Sequence, residues 1–300
     1  MRALSRGIAI FLKMTKPRSP NGINFALFGL GKFGKNYQRL LNPKAIVTAH
    51  SGNAEDVFKN PEIDAVVIAT PPSTHFDLAK KALEAGKHVL LEKPMVLSVA
   101  EAKKLRQIVK KSGKVFMVGY QYLYNDYINY LKKEIGSGAF GKILEVKNEH
   151  LVSPPREDVD IFWDAAPHPL AIYQYFFSPE KLISAEGKIE HDSAAVKVKF
   201  ENAPVLEIIA STSGDAKTRK LIVVGEKATA ILDETLEKDK LTIIKNGRTA
   251  NPQVKFKEPL RSEVKHFIQC IQTGKTPLTD VDFGGQITEW LSIISKSASN

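Results

Sequence analysis

Three strings, Gly29-Leu30-Gly31-Lys32-Phe33-Gly34, Glu92-Lys93-Pro94 and Asp164-x-x-x-His168, follow one another along the chain. Each pairs residue types with a spacing that can do chemistry. In the first, three glycines let the backbone turn tightly, approach a pyrophosphate, and pack a helix close to the preceding strand, its N-terminus toward the phosphates. In the second, a lysine ends an apolar run, where open α/β sheets place their ligands. Beside a cofactor its ammonium can hold a substrate hydroxyl, and partial desolvation brings its pKa toward a useful range. In the third, Asp and His at i, i+4 can share one helical face. Pro167 and Pro169 are tolerable only where that helix is just starting, so the pair belongs at its first turn. A histidine oriented there by a carboxylate is a general acid or base. The plainer readings are a structural turn, a surface lysine paired with Glu92, and a structural Asp–His pair. A metal site would need further ligands that nothing nearby offers. Together the strings suggest a nucleotide at a glycine turn, with a lysine and a histidine brought to it by two domains, as in a dehydrogenase.

The elements needed to position them are legible. Ile23–Phe28 is a short apolar run entering the glycine turn, and an amphipathic stretch from near Phe33 to Leu41 follows it. Ala45–Ala49 is a second brief strand. Asp64–Ala69 is continuously apolar, as expected of a parallel strand covered on both faces. A helix over 74–86 ends at Gly86, His88–Leu91 is the next strand, a helix over 98–112 ends at Gly113, and Val115–Gly119 is another strand. This alternation implies a doubly wound parallel sheet. Only fourteen residues separate Ala49 from Asp64, too few for a full helix-plus-strand unit, so the sheet is expected to lack one βα unit. Beyond Gly119, a helix over Tyr127–Ile135 leads into long alternating segments: Lys142–Leu151, Ala194–Phe200, Val205–Ser213, Arg219–Asp233 and Lys240–Lys245. These read as an antiparallel sheet, with two C-terminal helices over about 258–273 and 281–297. The expected architecture is α/β plus α+β: residues 23–120 as a dinucleotide-binding domain and 121–300 as a substrate-binding and oligomerisation domain.

Where a ribose-binding Asp or Glu is expected, about 20 residues after the turn, the chain has Ala49-His50-Ser51-Gly52. No carboxylate is there to repel a 2′-phosphate, and His50 or Ser51 could hydrogen-bond one. This favours NADP over NAD.

Bulk properties narrow the field. The 300 residues are 43% hydrophobic and 25% charged, ordinary for a globular enzyme of two domains. No apolar run approaches the ~20 residues that span a bilayer. The single cysteine, Cys270, excludes an internal disulfide and a Cys-based zinc cluster, so the cytoplasm is the expected compartment. The net charge of +10 is spread over separate lysine pairs rather than a basic block interleaved with aromatics. It therefore suits anionic small molecules better than nucleic acid. Residues 1–22 carry five basic residues and no acid, and are expected to be a disordered extension or to precede a true start at Met14, with a transit peptide as the other reading.

At this point the chain resembles the glucose–fructose oxidoreductase / inositol dehydrogenase / MocA-like oxidoreductases. The resemblance rests on the glycine turn, Ile63–Pro72 with His75, Ala85–Pro94, Glu101-Ala102, Gly113, Val118-Gly119 and Gly138–Ile143, and runs from about residue 23 to the C-terminus. It implies that Lys93 is catalytic and close to the nicotinamide, before a frequently cis proline, Pro94. It also implies that Thr70, Pro71, Pro72 and His75 form a cofactor-side loop joined by Glu92, that His168 acts on the substrate hydroxyl, and that Asp164 supports it. The stretch Arg156–His168 looks like the branch acting on sugars and nucleotide sugars, with Arg156 toward a substrate phosphate or paired with Asp158. Tyr120, Tyr122 and Trp163 complete the candidate substrate contacts. Two positions depart from many relatives: Pro169 replaces an Asp, and Tyr120 replaces a His. The expectation is an NAD(P)-dependent oxidoreductase on a sugar, polyol or nucleotide-sugar, assembled as a dimer or tetramer and without a metal. The alternatives are a non-catalytic sensor and cofactor-assisted glycoside hydrolysis.

Overall fold

The computed structural model of the chain describes residues 22–31, 33–41, 46–49, 54–151, 158–212 and 218–298. The reading of residues 1–22 as an extension falls almost wholly outside them, and so do the candidate residues Lys32, His50, Ser51 and Arg156.

The first half alternates strand and helix: β1 (Phe25–Phe28), α1 (Gly34–Leu40), β2 (Ile46–Ala49), α2 (Ala54–Lys59), β3 (Ala65–Ile68), α3 (His75–Glu84), β4 (His88–Glu92), α4 (Val99–Ser112) and β5 (Phe116–Gly119). The five strands pair in parallel in the order β2-β1-β3-β4-β5. That is the six-stranded dinucleotide order 3-2-1-4-5-6 with its outermost strand missing, as the short link after Ala49 implied. Every residue of β1, β3 and β5 is buried because helices cover both faces. α4 opens on a capping box: Glu101 N donates to Ser98 Oγ at 3.2 Å, and Ser98 Oγ donates to Glu101 Oε2 at 3.0 Å. It closes on left-handed Gly113.

The second half contains α5 (Asp126–Gly136), β6 (Ile143–Leu151), α6 (Ile161–Ala165), α7 (Pro167–Phe177), β7 (Leu182–Ile189), β8 (Ser193–Phe200), β9 (Val205–Ser211), β10 (Thr218–Gly225), β11 (Thr229–Asp233), β12 (Leu241–Lys245), β13 (Arg248–Ala250), α8 (Pro259–Thr273) and α9 (Val281–Ala298). Eight strands form one sheet in the order β13-β12-β11-β10-β6-β9-β8-β7. Two expectations need correction here. The sheet is mixed, because β6 runs parallel to β9 after the chain crosses over through α6, α7 and the edge hairpin β7–β8. The alternating stretch Arg219–Asp233 is two strands folded as a hairpin.

α8 returns to the first sheet. Leu260, Val264 and Phe267 pack on the face made by Ile23, Phe25, Leu27, Ala65, Val67, Leu90 and Met117. The same helix buries Glu263 completely. Tyr37 Oη lies 2.7 Å from Glu92 Oε1 and 3.1 Å from Glu263 Oε1, while Glu263 Oε2 has no partner. One hydroxyl proton serves two carboxyl groups, an arrangement satisfied when Glu263 keeps its own proton. Burial, reinforced by the charge of Glu92, holds the Glu263 carboxyl well above the usual range. The unfolded chain releases that proton near pH 4.3, whereas the folded chain retains it. Stability from this group therefore falls as pH rises above about 4.3 toward the folded pKa. Glu263→Gln, which keeps an acceptor for Tyr37 without the ionisation, is expected to raise the melting temperature by a few degrees at pH 8, the gain fading toward pH 4.

Candidate active site

The glycine turn has the shape that its spacing implies. Gly29 sits at φ +91, and a Cβ there would collide with the Ala69 carbonyl; a Cβ on Gly34 would overlap the Gly29 carbonyl oxygen. Strand and helix thus approach more closely than any side chain allows. A Cβ on Gly31 would meet nothing within 4 Å, so the turn is open on that side. Leu30 projects outward, and Phe33 packs edge-on against Tyr37 with ring centroids 5.7 Å apart. A dinucleotide pyrophosphate fits such a turn, closed by glycines beneath and empty above.

Lys93 directly follows β4 at the carboxyl edge of the sheet, and its peptide bond to Pro94 is cis. Its ammonium donates to Asp164 Oδ1 at 2.9 Å and to the Asp164 carbonyl oxygen at 2.7 Å. This pair ties the first sheet to α6. Glu92 faces the opposite way, toward Tyr37, and its Oε2 accepts from the Lys93 N–H at 3.2 Å. Glu92, expected at the cofactor, thus also braces the backbone of the lysine from beneath. Neither is Lys93 a surface residue paired with Glu92.

The expected Asp164–His168 partnership does not form. Asp164 lies in α6 and His168 in α7, and the break at Ala166 turns the carboxylate to Lys93. α7 begins at Pro167, as the two prolines require, so His168 stands in its first turn. Its ring is buried, meets the Tyr122 ring edge-on at 4.6 Å, and leaves Nδ1 without a hydrogen bond. Burial holds its pKa well below the ordinary 6.5, and the charges of Lys93, His150 and Arg219 push the same way. The unfolded chain takes up this proton near pH 6.5, before the folded one does, so stability from His168 is lost as pH falls below about 6.5. For oxidation of an alcohol the same neutral ring is the competent base. The acid limb of kcat/KM is therefore expected below pH 6.5, and steady-state rates across pH 5–8 would show it.

His168 lines a pocket with Tyr122, Asn148, His150, Arg219 and Glu234 around it and Ile128, Ile172, Leu221 and Leu232 as apolar wall. Of the expected substrate contacts among the described residues, Tyr122 alone stands here. Tyr120 is fully buried in the core against Phe283, at 5.6 Å, and Trp163 is tied to α9 through Nε1 donating to Ser295 Oγ at 3.1 Å. Thr70, exposed Pro71 and buried Pro72 do form the loop after β3. His75, however, is wholly buried, with Nδ1 2.8 Å from the Pro94 carbonyl oxygen and Nε2 3.0 Å from that of Thr70. It braces the loop after β3 against the cis-proline loop. Motif reading missed Asn148, His150, Arg219 and Glu234. One signal was present: Asn148 and His150 share the strand parity of buried Val146, where a core residue is expected.

Comparison with known proteins agrees with this layout. The NAD-binding Rossmann-fold model of the Gfo/Idh/MocA oxidoreductase family matches residues 40–120, and the family's C-terminal alpha/beta-domain model matches residues 132–300. The glycine turn lies before the first match and rests on its own geometry. The chain is 30% identical over 251 residues to scyllo-inositol 2-dehydrogenase (NAD(+)) of Bacillus subtilis, covering 76% of this chain and 73% of that protein. In fold it resembles UDP-N-acetylglucosamine 3-dehydrogenase of Acidithiobacillus ferrooxidans (TM-score 0.80, 20% identity, 92% of this chain and 97% of the other). It also resembles an inositol dehydrogenase homologue of Azotobacter vinelandii solved with NADH and myo-inositol (TM-score 0.79, 18% identity, 92% and 95%).

Proposed function

This chain belongs to the Gfo/Idh/MocA oxidoreductase family, and on that premise we propose that it is an NAD(P)-dependent dehydrogenase or reductase of a sugar, polyol or nucleotide-sugar. The observation that carries the reading is Lys93 Nζ, pinned 2.9 Å from Asp164 Oδ1, at the sheet edge beside a buried, neutral His168. A bound nicotinamide dinucleotide would supply the acceptor or donor of a hydride at the substrate's carbinol or keto carbon. Gly29, Gly31 and Gly34 would hold its pyrophosphate. Lys93, held in place by Asp164, donates to the substrate oxygen and stabilises the charge developing there. His168 takes the hydroxyl proton in oxidation and returns it in reduction.

The absence of a carboxylate at Ala49-His50-Ser51-Gly52 supports NADP over NAD. Buried, unpaired Cys270 suits a cytoplasmic setting. The outward face of the eight-stranded sheet carries half-buried Ile209, Ile222, Val224 and Ile231 around the Lys147–Glu149 and Lys147–Glu207 ion pairs, a surface fitted to a second copy in a dimer or tetramer. The partners proposed are thus small molecules and the chain itself, not nucleic acid or membrane. Among the described residues no helix is long and apolar enough to cross a membrane.

The test is fluorescence titration with NADH and NADPH, followed by absorbance assays over inositols, hexoses and nucleotide-sugars. Tighter NADPH binding with turnover on at least one of these classes is expected. Tight dinucleotide binding without turnover across the panel would favour a sensor.

A further inference from the structure

The lining of the pocket beside His168 is unbalanced. Six buried side-chain polar atoms among the described residues lack a hydrogen-bond partner, and three of them belong to residues that line this one pocket: His168 Nδ1, Asn148 Oδ1 and Arg219 Nε. They come from α7, β6 and β10, so no single local irregularity produces them. Buried polar groups are normally satisfied, so a cluster of exceptions on the residues around one pocket calls for an occupant or a catalytic role.

Arg219 is the odd member. The β6–β10 register sets it opposite His150, and its guanidinium carbon stands 5.9 Å from the centre of the Tyr122 ring. Glu234 is the carboxylate in the lining: Arg219 acts on it through space without a salt bridge, while its Oε1 accepts from Asn125 Nδ2 at 2.8 Å and Tyr122 also bonds to it. Among the described residues Arg219 forms no ion pair, although its Nε is cut off from solvent. A half-buried guanidinium is costly without a counter-charge. Its planar fork matches the paired oxygens of a carboxylate or phosphate better than a lone hydroxyl.

We propose that the substrate is a sugar or polyol bearing an anionic oxygen group, carboxylate or phosphate, which Arg219 binds while Asn148 Oδ1 accepts from a neighbouring hydroxyl. The apolar wall of Ile128, Ile172, Leu221 and Leu232 packs against the carbon skeleton. The inference rests on this pocket being the substrate site of the proposed dehydrogenase.

The experiment is calorimetric titration of the full-length, dinucleotide-loaded protein with matched pairs: glucuronate and glucose, gluconate and sorbitol, glucose 6-phosphate and glucose. At least one anionic member is expected to bind about tenfold tighter than its neutral counterpart, as a charge-assisted bidentate contact implies. Arg219→Gln should bring that ratio to within about twofold, and Arg219→Lys should retain part of it. The carboxylate and phosphate arms show which anion is meant. No tenfold preference in the wild-type protein, whether or not the variants fold, would overturn the assignment. So would a preference that survives in folded Arg219→Gln. Full-rate oxidation of a neutral polyol by Arg219→Gln would remove the anion alone, whereas failure of the wild type to bind either dinucleotide would remove the dehydrogenase reading beneath it.

Discussion

Lys93→Ala is expected to lower kcat by about 10²–10⁴-fold, the range supplied by a positioned proton-transfer or charge-stabilising group, with dinucleotide affinity little changed. The ammonium is fixed by two contacts to Asp164 at the end of a buried strand, so the substitution removes a positioned charge. The variant also takes one partner from a carboxylate whose side chain is only 20% exposed. Breaking a fully buried pair costs about 3–5 kcal/mol, and this partly exposed one should fall below that. The two effects are separable. If Lys93 served only to neutralise Asp164, the double variant Lys93→Ala/Asp164→Ala would regain turnover together with stability. Melting curves and steady-state rates on the same samples should instead show stability partly restored and kcat still low.

Gly34→Ala and Gly31→Ala are expected to fail in different ways. The added Cβ at Gly34 overlaps a carbonyl oxygen of the same turn, backbone that cannot yield without pulling α1 from β1. A loss of at least about 3 kcal/mol should follow, with dinucleotide binding abolished. At Gly31 the Cβ meets no protein atom within 4 Å. Stability there should stay within about 0.5 kcal/mol of wild type, yet affinity for the dinucleotide should drop by about tenfold or more, because the methyl occupies the space a pyrophosphate needs. Thermal melts and NADPH titrations of the two variants separate a turn that merely folds from one that binds. Unimpaired binding by Gly31→Ala would place the pyrophosphate elsewhere.

What the sequence revealed, and what it hid, follows from how local each signal is. β1, β3 and β4 were legible because parallel strands covered on both faces read as unbroken apolar runs. The capping box at Ser98 and the left-handed glycine at 113 bounded α4 with side-chain chemistry inside a few residues. β7 was missed: it is an edge strand, mostly half-buried or exposed, without the alternation a two-sided sheet imposes. The three-residue β13 is exposed throughout.

The site divides the same way. Lys93 and His168 could be singled out because each stands at the end of a recognisable element. Asp164 was found but given the wrong partner, since i, i+4 spacing predicts a contact only if the helix is continuous, and it breaks at Ala166. The actual partner is 71 residues earlier in the chain. Asn148, Arg219 and Glu234 converge only when β6, β10 and β11 take their register, information that no local window holds.

The central claim is that Lys93 and His168 prepare a carbinol carbon to give up a hydride, and isotope transfer tests it most directly. A polyol or sugar found active in the panel would be supplied with deuterium on the reacting carbon and incubated with oxidised dinucleotide. Mass spectrometry of the reduced cofactor should find the deuterium on its nicotinamide ring, with none drawn from solvent. Deuterium that stays on the sugar or is lost to water would contradict the account.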